Sequence, residues 1–561
     1  MKRLLGPVLY AESQPDPNLW SFRLNLYLHG GDGGPPPFSL TFTEKTPTGP
    51  QPVNDITVSA PKKAADFSTL VDPNFAGIVW SWRIEVPRRS APRVLTYRIA
   101  STAPSVPFTP IEVPEVFIPA QAHLPRIAFF SCNGAPNASE LHGRDPLALW
   151  EKMLDEHQRM VSGKSPDGFG LLIGGGDQIY ADSLFNSPHD FPLLWKFARK
   201  LSNKERMLLR LGEDWEPLRA RVLAGYVRLY CDTWGEGSGT SEMLARVPGL
   251  FTWDDHDILD GWGSLELLQE CDVYRMLYPE AARAFEAFQL GREGYSGQSL
   301  PSPVPKDKPT PHYFQSLSFA GKERDLEVVA LDSRSGRTDT RVLDDEQWAR
   351  FDVWRRADIE RSKAAPGHKR HVIVITSVPM VFRRFSPQME LMASTAIGIR
   401  DMGLRDDMLD QWESRLHRAE RARMLRNLLS HVREARCAVT IVAGDVHVGA
   451  HGRIHSREPG HLVDGRRETI IEQVVSSGIV HPAVGGLTLL GMDIASSISP
   501  DRSLGAQIET RLELLDNGGV VLSERNWLDI QLENAARAEL RLQWYAEESG
   551  RVPTKIVVTP P

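Results

Sequence analysis

The sequence predicts an α/β protein in which a layered domain with flanking helices follows a small all-β sandwich. Three observations predict it. Residues 1–115 alternate apolar with polar side chains, the residues after Leu124 form unbroken apolar runs, and long helical segments separate those runs.

In the N-terminal part, Phe22, Leu24, Leu26 and Leu28 alternate with Ser21, Arg23 and Asn25. Trp80, Trp82, Ile84 and Val86 repeat the pattern, as do Leu95, Tyr97 and Ile99. A period of two is that of a half-buried strand. Gly30 to Pro37 and Thr46 to Pro50 break the strands, as turns of a sandwich do. Pro104, Pro107, Pro110, Pro114 and Pro119 are too closely spaced for a helix or a central strand, so this stretch is expected to be a stiff linker. The domain boundary is placed there, with 1–115 as the sandwich and 116–561 as the second domain.

Beyond Leu124 the runs Ile127–Phe130, Leu171–Ile173, Val328–Leu331, Val372–Ile375 and Val439–Val442 have the character of strands buried on both faces. Asp344 or Asp345 can cap a helix carrying Trp348, Phe351 and Trp354 on one face. A second helix is read through Met408, Trp412, Met424, Leu425, Leu428 and Val432. Helical inserts at 193–247 and 265–290 are expected to wall a pocket. From about residue 505 the chain returns to β, with an Asn517-Gly518 hairpin signal between Ile508–Leu515 and Val520–Leu532 and a further strand through Leu540, Leu542 and Trp544. Whether these strands join the main sheets is open.

Lys+Arg 65 against Asp+Glu 72 gives a net charge of −7, spread along the chain, so no strong nucleic-acid signal is present. No run approaches the ~18 apolar residues of a membrane span. The four cysteines include no close pair, and Pro7 cuts short the apolar stretch after Lys2-Arg3. A reducing, cytoplasmic setting is therefore expected, although an exported form trimmed of its signal would read the same. Cys231, Cys271 and Cys437 are read as core residues.

Four times an apolar run ends in side chains able to bind metal. These ends are Ser131-Cys132-Asn133, Gly176-Asp177-Gln178-Ile179-Tyr180, Trp253-Asp254-Asp255-His256-Asp257 and Gly444-Asp445-Val446-His447. Ligand groups gather where buried strands end, because the strand fixes the backbone while the next loop supplies polar atoms. Three carboxylates around His256 repel one another unless a cation or base neutralises them. A mixture of Asp, His, Tyr and Cys suits a transition metal, and two ions about 3.5–4 Å apart would need a bridging carboxylate, for which Asp177 is the natural choice. Asp445 and His447 would share one face of a strand, or be divided between two ions by a loop.

The ordered set Ser-Cys-Asn, Gly-Asp-x-x-Tyr-Ala-Asp, Trp-Asp-Asp-His-Asp, Leu-Asp-Ser-Arg, Gly-Asp-Val-His and Ser-Ser-Gly-Ile-Val, running from Arg126 to Ile479, resembles the alkaline phosphatase D (PhoD-like) branch of the calcineurin-like metallophosphoesterases. The resemblance implies a layered metallophosphoesterase sandwich that hydrolyses small-molecule phosphate mono- or diesters by in-line attack of metal-activated hydroxide. It implies Cys132, Asp177, Tyr180 and His447 on one metal, with Asp177, Asp255 and Asp445 holding or orienting the second. Fe3+ with Ca2+ is the implied pair, and Mn2+ or Zn2+ serve in the wider superfamily. That superfamily's usual Asp-x-His, Gly-Asn-His-Asp/Glu and Gly-His-x-His motifs are replaced here by Ser131-Cys132-Asn133, Asp254 to Asp257 and Gly444 to His447. The loop Asp260-Gly261-Trp262-Gly263 also departs from the family.

His256 and Asp255 are taken as catalytic, His256 for leaving-group protonation or phosphate contact. Arg334 is taken as a phosphate clamp, with an ion pair to Asp332 as the structural alternative. Of Asn133, His451 and His481, each in or just after a motif, Asn133 is taken as the substrate contact. Arg383-Arg384 and Lys369-Arg370-His371 read as solvated surface. The competing class is a non-catalytic protein that keeps the fold and binds a glycan, lipid or protein through its sandwich.

Overall fold

The alternating segments and the unbroken runs both become strands, differing in how many faces they bury. The structure, a computed structural model, describes the chain apart from Asp32, Ala122, Ser202, 212–214, 265–270, 294–298, 302–308, His312, 383–409, 484–498 and 534–537. Its N-terminal part contains β1 (Lys2–Ala11), β2 (Leu19–His29), β3 (Phe38–Thr46), β4 (Gly49–Pro52), β5 (Thr57–Val58), β6 (Lys62–Phe67), β7 (Gly77–Pro87), β8 (Arg93–Ser101) and β9 (Ile111–Ile118). Next come β10 (Arg126–Phe130), β11 (Phe169–Gly175), β12 (Gly249–Thr252) and the short β13 (Ser299–Pro301) and β14 (Pro309–Pro311). Then follow β15 (Gln315–Ala320), β16 (Arg324–Ala330), β17 (Lys369–Thr376), β18 (Cys437–Ala443), β19 (Gly449–Ser456) and β20 (Thr469–Val475). The last five are β21 (Ile508–Leu512), β22 (Val521–Leu522), β23 (Asn526–Glu533), β24 (Glu539–Ala546) and β25 (Gly550–Val558).

One large sheet has the order β25-β24-β23-β10-β11-β12-β1-β2-β7-β5, with β6 also on β7; the other has the order β15-β16-β17-β18-β20-β19-β21, with β22 on β19. Between them, Phe129, Leu171, Ile173 and Leu250 share a buried cluster with Val328, Ala330, Ile373, Ile375 and Val442. One residue along each strand, the side chains face the other way. Ala128, Phe130, Leu172 and Phe251 pack on the helices Ala148–Val161, Trp215–Trp234 and Asp272–Phe288. Val329, Val372, Val374, Val439 and Ile441 pack on Asp345–Ala364 and Arg418–Ala435. The result is an α/β protein of helix, sheet, sheet and helix, and burial of each such Val, Leu, Ile or Phe side chain contributes about 1.5–3 kcal/mol.

The N-terminal sandwich is built of β1, β2 and β5 to β7 against a four-stranded sheet, β4-β3-β8-β9. Its first layer is continuous with the main sheet, since β1 pairs in parallel with β12 at Tyr10 and Gly249. The expected linker differs, because Ile111–Ile118 pairs with β8 as an edge strand. Pro114 is accommodated by an irregularity between the Leu95–Val116 and Tyr97–Val113 pairs, where Glu115 has φ 67°. An edge strand tolerates a missing N–H at a bulge.

The C-terminal strands join both main sheets. β23 pairs with β10, and β21 and β22 both pair with β19. The expected Asn-Gly hairpin is therefore corrected. The turn forms, with the Leu515 N–H on Gly519 O at 2.8 Å, but its flanking strands lie in line along β19 rather than against each other. Asp344 proves to be the cap of its helix, its side chain accepting the Gln347 N–H at 3.0 Å. The second helix begins only at Arg418, so Trp412 precedes it, and Met408 lies outside the described residues, as do Arg383 and Arg384. Arg370 and His371, expected to be solvated, are buried at the start of β17. There Arg370 pairs with Asp358 and Asp325, and His371 donates to Ala538 O at 2.6 Å. Among the described residues no helix is long and apolar enough to cross a membrane.

Candidate metal centre

β10, β11 and β12 are parallel neighbours in one sheet, and β18 is a central strand of the other, so their C-terminal ends leave the layers on the same side. Two glycines let the ends close on one another. A Cβ on Gly444 would sit 2.6 Å from Ser131 Oγ, and one on Gly176, where φ is +116°, would sit 2.7 Å from Asp254 Cβ.

The residues that follow bend sharply. Nine non-glycine residues among those described have positive φ, and four are strand-end donors: Cys132 (55°), Asp177 (53°), Asp445 (67°) and His447 (53°). A left-handed non-glycine residue is held only where its surroundings over-determine it, at roughly 1–3 kcal/mol each. Backbone bonds do so here, with the Cys132 N–H on Gly176 O at 3.2 Å and the Asn133 N–H on Asp177 O at 2.8 Å. The His447 N–H donates to Ser477 Oγ at 3.0 Å.

These bends bring the donors into three overlapping groups, the ligand atoms in each within 4.8 Å of one another. The groups are Cys132, Asp177 and His447; Asp177, Asp255 and His256; and Asp254, Asp255 and Asp445. Asp177 belongs to the first two and Asp255 to the last two. Asp445 and His447 fall in different groups, because β18 ends at Ala443 and both lie in the loop beyond it. Cys132 Sγ is 3.4 Å from Asp177 Oδ2. Tyr180 lies beside them, its ring 4.3 Å from that of His256.

So many acids in one buried place oppose one another. Burial, reinforced by Asp254 and Asp255, pushes the Asp445 carboxyl well above the usual range. Burial does the same to Asp177 and, with Asp177 as neighbour, to the Cys132 thiol; burial and Cys132 raise the Tyr180 phenol. Burial pushes His447 well down, so its imidazole is neutral. A cation would reverse the penalty on each anion. The donor set fits one. Asp177 Oδ1, Tyr180 Oη, Asp254 Oδ2 and His447 Nε2 are all buried without a hydrogen-bond partner among the described residues. Buried polar atoms in folded proteins usually have partners, and Asp177, Asp254 and His447 belong to the three donor groups, where a cation would supply one.

Arg334 is corrected. Its side chain is fully buried, with Nε bonded to Asp254 Oδ1, Nη2 at 3.3 Å from Asp255 Oδ1 and 2.8 Å from Asp410 Oδ2, and Nη1 on Trp262 O at 3.0 Å. A guanidinium so engaged braces the carboxylates instead of clamping phosphate. The alternative pairing with Asp332 is replaced too, because Asp332 accepts the Arg334 and Ser335 backbone N–H groups at 3.1 and 3.0 Å and the Trp253 indole at 2.9 Å. Burial would raise the Asp410 carboxyl, but Arg334 and Arg337 bring it down to about 2.

His256 Nδ1 lies 2.5 Å from Asp182 Oδ2, and Nε2 lies 3.9 Å from Asp260 Oδ1. Although burial opposes it, Asp182 and Asp255 raise His256 well above its ordinary value. Asn133 Oδ1 accepts the Trp150 indole N–H at 2.8 Å, which leaves the buried Nδ2 without a partner. His451 is elsewhere, paired with Glu472 at 2.8 Å.

Cys132, Asp177, Asp255, His256, Asp445 and His447 are thus brought together, with Tyr180 and Asn133 beside them. Sequence reasoning missed Asp182, Asp410 and Ser477, and it weighed His481 but chose Asn133 over it. Asp182 closes the Gly-Asp-x-x-Tyr-Ala-Asp motif and Ser477 lies in Ser-Ser-Gly-Ile-Val, so both had a signal; Asp410 had none. Asp257, inside the acidic motif, is a brace that accepts N–H groups of Gln178, Ile179 and Asp254 at 3.0, 3.2 and 2.9 Å.

The layered fold thus sets Cys, Asp and His donors together at the ends of its parallel strands. Residues 130–400, just under half of the chain, match the family described as PhoD related phosphatase, with which the motifs share their resemblance. The uncharacterized protein YGR266W of Saccharomyces cerevisiae is 22% identical over 437 residues, covering 68% of this chain and 57% of its own length. The chain therefore spans little more than half of that relative. Among solved structures, PhoD aligns with a TM-score of 0.48 at 14% identity, over 98% of this chain and 88% of that one. The purple acid phosphatase PPD1 of yellow lupin (Lupinus luteus) seeds aligns with a TM-score of 0.46 at 11% identity, over 98% and 73%.

Proposed function

We propose that the chain hydrolyses small-molecule phosphate mono- or diesters at this centre. The observation that carries the reading is the set of buried, unpartnered atoms on Asp177, Tyr180, Asp254 and His447, supported by the match to a phosphatase family. In this reading Cys132, Asp177, Tyr180 and His447 hold one ion and Asp177, Asp255 and Asp445 hold or orient a second, with Fe3+ and Ca2+ as the pair. Bound cations would supply Lewis acidity toward the phosphoryl oxygens and lower the pKa of water enough to make hydroxide available for in-line attack on phosphorus.

The chain's own groups do the rest. Asn133 Nδ2 offers its N–H groups to a phosphoryl oxygen, where a fixed donor gains as charge develops. His256, held by Asp182 at Nδ1, presents Nε2 as the proton source for the leaving oxygen. Arg334 fixes Asp254 and Asp255 and takes no part in proton transfer.

The test is elemental analysis of the purified protein, then hydrolysis of 4-nitrophenyl phosphate and bis(4-nitrophenyl) phosphate. Bound metal with turnover of either ester is expected. No metal and no turnover after reconstitution with Fe, Ca, Mn or Zn overturns the reading.

A further inference from the structure

We infer that His481 is a positioning residue of this centre, a flat ring stacked on His447 and Tyr180 that sets the orientation of both donors without ligating their ion. The inference rests on the metal reading above and assigns a function to a residue outside the donor groups.

Backbone bonds anchor the ring to the Cys132 strand end. The N–H groups of Ile479, Val480 and His481 donate to Ser131 O at 3.1 Å, Cys132 O at 3.2 Å and Cys132 O at 3.1 Å. The turn that permits this is at Gly478, with φ +81°, where a Cβ would meet His481 O at 2.6 Å. Imidazole Nδ1 lies 2.9 Å from Pro482 O; a carbonyl only accepts, so Nδ1 carries the proton. Main chain and side chain of His481 are therefore both tied to the loop that closes over Cys132.

From that anchor the ring meets two candidate donors face to face. Its centroid is 3.5 Å from that of His447, with planes 12° apart, and 5.8 Å from that of Tyr180, with planes 21° apart. His256 covers Tyr180 at 4.3 Å and 28°. His447 lies in a loop with a left-handed backbone, and among the described residues its Nε2 has no hydrogen-bond partner to fix the ring's rotation. The stack fixes it, as a hydrogen bond from the other ring nitrogen would in a conventional histidine ligand.

The same geometry excludes coordination of one ion by both histidines. A ring nitrogen binds along its lone pair, in the plane of the ring. With near-parallel planes stacked in contact, an ion in the plane of His447 lies about one ring spacing outside that of His481. His481 therefore acts through His447 and Tyr180.

His481→Phe keeps the flat ring and removes both nitrogens, whereas His481→Ala removes the ring. Zn2+ affinity is measured for both and for wild type by competition with a chromogenic chelator, with His447→Ala as the reference for a lost ligand. His481→Ala is expected to bind Zn2+ about 10–100-fold more weakly than wild type and His481→Phe to stay within about threefold, the range over which outer partners act on metal sites. Equal losses in both variants, or no loss in His481→Ala, overturn the inference. Thermal melts check folding, and His481→Leu replaces the alanine variant should that variant not fold. A metal-stripped wild-type protein that takes up none of Zn2+, Fe3+, Ca2+ and Mn2+ fails the metal reading instead. The stack is then read in metal-free protein from hydrogen exchange of the His447 amide. Faster exchange in His481→Ala than in His481→Phe supports the stack, and equal exchange overturns it.

Discussion

His256 Nδ1 and Asp182 Oδ2 lie 2.5 Å apart, and the other oxygen of Asp182 accepts the Asp260 N–H at 3.1 Å. One carboxylate thus fixes both the imidazole and the loop that follows it, and in the proposed reading Nε2, 3.9 Å from Asp260 Oδ1, is the nitrogen that gives the proton.

Asp182→Asn is expected to lower kcat by about 10²-fold, the scale of general acid catalysis, with metal content unchanged. The loss should be larger for alkyl phosphates than for 4-nitrophenyl phosphate, whose leaving group needs no proton. Steady-state rates over a series of leaving groups check this, and a uniform loss counts against proton donation by His256.

Arg334→Met leaves Asp254, Asp255 and Asp410 buried without their shared guanidinium. Breaking a buried ion network by removing one partner costs about 3–5 kcal/mol, so the urea midpoint should fall accordingly. A residue that only clamped substrate would leave the midpoint unchanged.

Chelation of the bound ions should lower the melting temperature as well as abolish turnover, because Asp177 stays buried and Asp445 half-buried among like charges. An ion present at a hundred times its dissociation constant stabilises the folded state by about 2.7 kcal/mol. Where the ion on Tyr180 is ferric, a visible absorption band should vanish in Tyr180→Phe. An unchanged melting curve after chelation would contradict the fit of donors to cations.

His157 gives a pH dependence away from the centre. Its Nε2 bonds Glu115 O at 2.8 Å and its Nδ1 accepts the Phe169 N–H at 3.2 Å, so the ring is used as a neutral imidazole. Burial pushes it down from 6.5 to about 4. The unfolded chain binds this proton first, so stability is full above pH 6.5 and falls as pH drops toward 4, by about 3 kcal/mol for this group. Urea unfolding between pH 7 and 4.5 should show a shallower slope in His157→Gln, and an unaltered slope would rule the contribution out.

Strands, layers and most donors were legible because their signals are local. A buried strand needs several apolar residues in a row, as at Val372–Ile375, and a ligand at a strand end sits beside its strand in sequence. Ile111–Ile118 was misread because prolines report what a segment cannot be, and the irregularity that accommodates Pro114 depends on its partner β8. Arg370 and His371 were misread because Asp325, Asp358 and Ala538, which satisfy them, come from three other segments. Arg334 looked like a phosphate clamp for the same reason, since Asp254, Asp255 and Asp410 are far from it in sequence.

The sequence by itself determined the α/β grammar, the order of the motifs and the chemical kinds gathered at the strand ends, since these follow from periodicity and residue type. Only the tertiary structure decided which carboxylates face Arg334, that Asp445 and His447 part company, and that His481 lies flat on His447. Those relations join residues of different strands and loops, and their distances are set by how the two sheets pack and by left-handed bends that no pattern of side chains announces.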